Sequence, residues 1–152
     1  MLDAWLDFHR QTLLWKCAGL TPEELARRSV EPSGLSLLGL VRHMAEVERS
    51  WFRHGFAREA IGDIYCSGER PDADFDDVDP ARAEADIATF RQEVGLARAA
   101  ADGHGLDETF YQERRQRHVS LRWIYLHMIE EYARHNGHAD LIRESIDGQT
   151  GD

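Results

Sequence analysis

Apolar side chains recur at spacings of three and four along most of this chain, the period of an amphipathic α-helix. The signal is clearest near the C-terminus, where Leu121, Ile124, Tyr125, Met128, Tyr132, Ala139, Ile142 and Ile146 mark one face. Ser120 precedes that run as an N-cap and Asp147-Gly148 ends it. A second run, behind Ser36, carries Leu37, Leu40, Met44, Val47 and Trp51 and stops near Gly55. A third opens after Asp79-Pro80 and extends to about Ala101, with Ile87, Phe90, Val94 and Leu96 as inward positions. The first run spans Asp3 to Cys17, with Trp5, Phe8, Thr12 and Trp15 along one face. A short helix start follows at Thr21-Pro-Glu-Glu24, with a capping threonine, proline at the first helical position and acids in the first turn.

Between these runs lie a connection at 29–34, a long acidic loop at 62–80 with six aspartates, and a second long connection at 102–119. No strand-period alternation competes with the helical pattern. Loops of this length inside a compact domain are often functional. The expectation is an all-α fold, a four-helix bundle with long connections, formed by residues 1–152 as a single domain. A weak internal echo fits it: Ser36 to His43-Met44 and Ser120 to His127-Met128 share the cap, the length and the His-Met pair.

Charge narrows the classes. With 18 basic against 28 acidic residues the net charge is -10, which argues against nucleic acid and against an anionic membrane surface. No apolar run approaches the roughly 20 residues needed to cross a bilayer, and no secretory signal opens the chain. The chain therefore reads as soluble and cytoplasmic. Its two cysteines, Cys17 and Cys66, exclude a disulfide framework and a thiolate zinc knot. Lys16 is the single lysine in an arginine- and alanine-rich composition, a skew typical of GC-rich coding.

The candidate chemistry lies inside the last helical run. Glu131 and His135 are four apart, on one helix face, and both fall in the apolar stripe. A carboxylate and an imidazole there carry a desolvation cost unless something pairs with them, and a divalent metal would satisfy both. An ion pair is the competing reading, with Arg134, Arg122 and Arg42 as partners for Glu131. His43, midway along the second run, reads alone as a hydrogen-bonded core residue. Joined to the Glu131/His135 pair it completes two imidazoles and one carboxylate from two helices, which leaves open positions on the metal as catalytic sites do. Zinc fits these ligands; iron or nickel would accept them too.

The segment His127-Met-Ile-Glu-Glu131-Tyr-Ala-Arg-His135-Asn-Gly137-His138 resembles the last-helix motif of the DinB-like metal-binding four-helix bundles. Leu40-Val-Arg-His43-Met-Ala-Glu46-Val-Glu-Arg-Ser-Trp51 resembles that family's second-helix motif, which supplies its first histidine. Glutamate at position 131, where many members carry histidine, is similar to the mycothiol-dependent maleylpyruvate isomerase and thiol-transferase branch. The resemblance spans the whole length and helix order and is specific at those two motifs. It implies His43, Glu131 and His135 as metal ligands.

Around that set, His127 lies one turn before Glu131 and His138 three residues after His135, so both are candidates to support the ligands. Gly137 inside a helix points to a close helix crossing. His9, His54, His104 and His118 read as surface residues. Arg114, Arg115 and Arg117 precede the last helix and are candidates to face an anionic substrate at a site mouth. Asp72-Ala-Asp74-Phe-Asp76 opens like a calcium loop, but Asp77 replaces the turn glycine and Ala83 the terminal glutamate. His43-x-x-Glu46 and His127-x-x-Glu130 reverse the order of a di-iron motif. No side-chain nucleophile stands out.

By resemblance, the expected activity is a divalent-metal-dependent S-transferase that uses a low-molecular-weight thiol, mycothiol or bacillithiol, against small electrophiles, through a thiolate favoured by the metal. A homodimer is expected on the same ground. Isomerase members carry a further carboxy-terminal domain with no counterpart in these residues, so the isomerisation itself is not carried over. A hydrolase using a metal-activated water, and a non-enzymatic metal-binding stress-response protein, are the rival readings.

Overall fold

The computed structural model describes residues 1–151, except for the side chain of Arg114. Four long helical segments form an all-α bundle: α1 (Leu2–Cys17), α3 (Leu37–Glu48), α5 (Ala83–Ala101) and α6 (Leu121–Asp147). Two short helices, α2 (Pro22–Ala26) and α4 (Ala73–Asp76), lie in the connections. α1 packs along α6 and α3 along α5, and the two pairs meet where α3 touches both α1 and α6. Among the described residues, no helix is long and apolar enough to cross a membrane.

The caps act as their sequences require. Ser36 Oγ accepts from the Gly39 N–H at 3.1 Å and Ser120 Oγ from the Trp123 N–H at 3.2 Å. Thr21 and Glu24 form a reciprocal capping box at the start of α2. Met44 and Met128, the paired residues of the internal echo, are both fully buried. The stripe on α6 points inward as its period predicts: Leu121, Ile124, Met128, Tyr132, Ala139 and Ile142 are all in the core.

On α1 the apolar stripe turns the other way. Trp5, Phe8 and Trp15 remain 56%, 57% and 55% exposed, while Leu6, Arg10, Leu13, Lys16 and Cys17 are buried. The reason is electrostatic as well as hydrophobic. Glu48 on α3 is wholly buried, and both its oxygens accept from Arg10 at 2.7 Å, with the Tyr132 hydroxyl of α6 donating to Oε1 at 2.7 Å. A buried carboxylate needs such partners, so α1 is rotated to put Arg10 into the core.

Three further features depart from the helical pattern. The connection at 102–119 contains an antiparallel hairpin, β1 (Thr109–Gln112) and β2 (Arg117–Ser120). Phe110 and Val119 face each other across it and are buried, and Gln116 turns the chain with a left-handed φ of 50°. Two strands of four residues are too short for alternation to show against helical periodicity. α3 does not stop as an α-helix but runs on as a π-helical segment, Arg49–Phe56. Gly137 has no neighbour within 4 Å of where a Cβ would stand, so no helix crosses there.

The acidic loop is held against α3 by two charged residues one turn apart. Arg42 donates to the carbonyls of Ala73 and Asp74 and to Asp86. Glu46 Oε1 accepts the backbone N–H groups of Ile64, Tyr65 and Cys66. Gly39 lets α4 lie close, since a Cβ there would meet Phe75 at 3.3 Å.

Candidate metal centre

His43 projects from α3, and Glu131 and His135 from α6. Each offers a ligand atom, and the three atoms lie within 4.8 Å of one another. His135 Nε2 is 3.5 Å from Glu131 Oε2, and the His43 and His135 rings are 4.8 Å apart, centre to centre. The side chains are 24%, 18% and 12% exposed for His43, Glu131 and His135, enough for a small molecule to reach them but mostly withdrawn from water. None of the arginines proposed to pair with Glu131 does so. Arg134 pairs with Glu130, Arg122 with Asp107 and Arg42 with Asp86. Among the basic groups of the described residues, only the imidazoles of His127 and His135 come within 4 Å of the Glu131 carboxylate.

His43 is oriented by a residue that lies outside the sequence motifs. Asp74, in α4, is buried, and its Oδ2 sits 2.8 Å from His43 Nδ1. Burial alone would raise the Asp74 carboxyl, but the hydrogen bond and charge of His43 hold it below the usual value. An Nδ1–H donated to Asp74 leaves the Nε2 lone pair bare, which is the arrangement metal-binding histidines adopt. The acidic alternation around Asp74 was legible, but its link to His43, 31 residues earlier, depends on how Arg42 and Glu46 dock the loop.

His135 differs. Burial, then the neighbouring His43 and His138, push its pKa down to about 4, so its ring is neutral at neutral pH. Its Nδ1 is buried without a hydrogen-bond partner, as is Nδ1 of His138, whose ring lies 5.5 Å from that of His135. His135 Nε2 beside the Glu131 carboxylate, with the Asp74-oriented imidazole of His43 close by, fits a divalent cation: two imidazole nitrogens and one carboxylate oxygen, with the remaining positions open.

His127 stands one turn from Glu131, with Nε2 3.6 Å from Glu131 Oε1, too long for a hydrogen bond. It is sandwiched by aromatic rings, stacked on Trp123 at 4.9 Å and edge-on to Trp51 at 4.7 Å. Burial lowers its pKa and the Glu131 charge opposes that shift. His127, Glu130 and Glu131 also form a second cluster of ligand atoms, though Glu130 is exposed and engaged by Arg134. Glu46 is committed to the loop backbone, so a di-iron carboxylate arrangement does not form. Of the histidines assigned to the surface, His54, His104 and His118 are exposed, while His9 is half-buried beside Asn136.

Two clefts reach the ligands from either side of Trp51. One, of about 380 Å³, is lined by His43, Ser50, Asp63, Cys66 and Asp74. The other, of about 350 Å³, is lined by Trp51, Gln112, Arg115, His127 and Glu131. Of the three arginines expected at the site mouth, Arg115 lines this second cleft and Arg117 stacks on its neighbour Trp123; the side chain of Arg114 lies outside the described residues. Cys66 is no ready nucleophile, since burial pushes its thiol up to about 11.

Comparison with protein-family models gives a match over residues 1–148 to the one described as Mycothiol-S-transferase. No curated protein and no solved structure matches the chain.

Proposed function

The chain belongs to the mycothiol S-transferase family, and on that premise we propose that it transfers a low-molecular-weight thiol to a small electrophile at a divalent cation held by His43, Glu131 and His135. The observation that carries the reading is the convergence of those three donors in a chain matched over nearly its whole length to a thiol-transferase family. A divalent cation at this point supplies Lewis acidity, favouring the thiolate form of a thiol that reaches it at neutral pH.

The protein's own residues set the terms. Asp74 holds the His43 ring in one tautomer and one orientation. Burial keeps His135 unprotonated, so no proton has to leave before it can ligate. Glu131 contributes the single negative charge. The donor set thus neutralises half of a dication and leaves a site of net positive charge, which favours an anionic sulfur over a neutral thiol. Neither cysteine is needed as nucleophile: Cys17 is buried with its thiol pushed up to about 12, and Cys66 is also shifted upward. The two clefts provide separate approaches for the thiol and for the electrophile, on either side of Trp51.

The test is elemental analysis of untreated protein, followed by thiol-consumption assays with mycothiol and a haloarene before and after chelation. His135→Ala is expected to lose both metal and activity, and His54→Ala, an exposed site, to keep both. Activity that survives full metal removal would overturn the role given to the cation. Metal binding without any thiol-dependent reaction would favour hydrolysis or a purely structural site.

A further inference from the structure

Resting on that thiol-transfer reading, we infer that the electrophile is a flat anion, an aromatic or conjugated carboxylate, and that it enters through the cleft between Trp51 and Arg115. Trp51, Gln112, Arg115, His127 and Glu131 line this cleft, and Trp123 packs against its His127 ring. Trp123 and His127 are stacked at an interplanar angle of 20°, and Trp51 meets His127 edge-on at 72°. Two guanidinium groups cover the same rings: Arg115 is 4.8 Å from the Trp123 centroid and 5.6 Å from that of Trp51, and Arg117 is 5.7 Å from Trp123. Both arginines are exposed, and among the described residues neither has a carboxylate partner. Most other arginines of this acidic chain are paired, as with Arg10, Arg42, Arg49, Arg53 and Arg143.

The opposite cleft has the opposite sign. Glu46, Asp63 and Asp74 line it, and they would repel a carboxylate. An anion is therefore sorted to the arginine side, where a planar guanidinium offers the paired donors that match a carboxylate. The half-buried indoles of Trp51 and Trp123 beside those guanidinium groups favour a ring or a conjugated chain over a tetrahedral anion. A cleft of about 350 Å³ is near the lower end for small-molecule sites, room for one ring and its substituents. Glu131 lines it too, so an electrophile bound there would present its reacting carbon near the proposed metal and its thiol. For a haloarene the reaction balances simply. The sulfur–carbon bond forms, the carbon–halogen bond breaks with its electron pair leaving as halide, and the thiol proton is released to water.

The experiment compares a chloronitrobenzoate with its neutral amide, using the metal-loaded protein. In a binding assay without thiol, the benzoate is expected to quench the tryptophan fluorescence of Trp51 and Trp123 at a concentration about tenfold lower than the amide, the size of a charge-assisted contact. Trp5 and Trp15, exposed on α1, supply a constant background. In turnover with mycothiol, the benzoate is expected to have the lower KM by a similar factor. The double variant Arg115→Gln/Arg117→Gln is expected to bring the benzoate-to-amide ratio close to one in both assays. Equal binding of the two probes by the unmodified protein overturns the inference, whatever the variant does, and so does a variant that keeps the preference. Preferential binding of the benzoate with no thiol consumed from either probe supports the anionic cleft while removing the thiol-transfer reading. Turnover of both probes without preference does the reverse.

Discussion

Asp74 holds His43 by one buried hydrogen bond, and its removal separates orientation from ligation. Asp74→Asn keeps the shape but cannot accept the His43 proton in the same way, so metal affinity is expected to fall roughly 10- to 100-fold. Competition against a chelator measures this, and Asp76→Asn, on the exposed side of the same short helix, is expected to leave affinity unchanged. Gly137 presents the reverse case, a residue whose expected function dissolves in the structure. Nothing lies within 4 Å of its missing Cβ, and the residue is exposed within α6. Gly137→Ala is therefore expected to stabilise the protein by about 1 kcal/mol through helix propensity and reduced freedom of the unfolded chain. A melting temperature that falls in this variant would show a constraint on the backbone that its surroundings do not reveal.

Among the elements, α1, α3 and α6 are tied at one level by Arg10, Glu48 and Tyr132. Burial alone would lower the Arg10 pKa, but the Glu48 carboxylate raises it, and the guanidinium stays charged inside the core. Truncating Arg10 to alanine strands a buried carboxylate, an expected loss of about 3–5 kcal/mol in urea unfolding. Tyr132→Phe removes only the third arm, and its expected cost is about 1.5–3 kcal/mol, the range for a hydrogen bond to a charged group. Equal losses in the two variants would mean that the charge pair and the hydroxyl are not separable contributions. The same network accounts for the outward aromatic stripe on α1, because the helix face that carries Arg10 cannot also be the face that carries Trp5 and Phe8.

At the scale of the whole molecule, acid acts through carboxylates held by arginines. Burial opposes ionisation of Asp7, but Arg98 and Arg10 lower its pKa; Glu93 is likewise lowered by Arg49 and Arg53 against its burial. Folded values below the unfolded ones mean that this stabilisation is complete above the ordinary carboxylate range and is lost as pH falls through the lowered folded values. In metal-free protein the melting temperature is expected to hold from neutrality to about pH 4.5 and then to drop. In metal-loaded protein protons compete with the cation for imidazole, and because His135 stays unprotonated down to about pH 4, bound metal is expected to be lost in that same acid range. At pH 7, a hundredfold excess of free metal over its Kd should add about 2.7 kcal/mol to folding. Calorimetry with and without chelator across this range tests both expectations.

Periodicity was sufficient for the four long helices, because a 3.6-residue repeat extends over many turns and the Ser36 and Ser120 caps mark where it begins. It also placed His43, Glu131 and His135 on inward faces, since i to i+4 spacing is a local property. Helical period does not say which face wins when a buried charge competes with aromatic area, so the rotation of α1 depended on Glu48 of another helix. The hairpin at 109–120 was hidden for a related reason: its stabilising pair, Phe110 and Val119, forms across a turn and against the bundle. The Asp74–His43 hydrogen bond and the packing of Trp51 against His127 are likewise contacts between segments distant in the chain. Local hydrogen bonding and hydrophobic period are written residue by residue, whereas partners across the fold exist only once loop docking and helix rotation have brought them together.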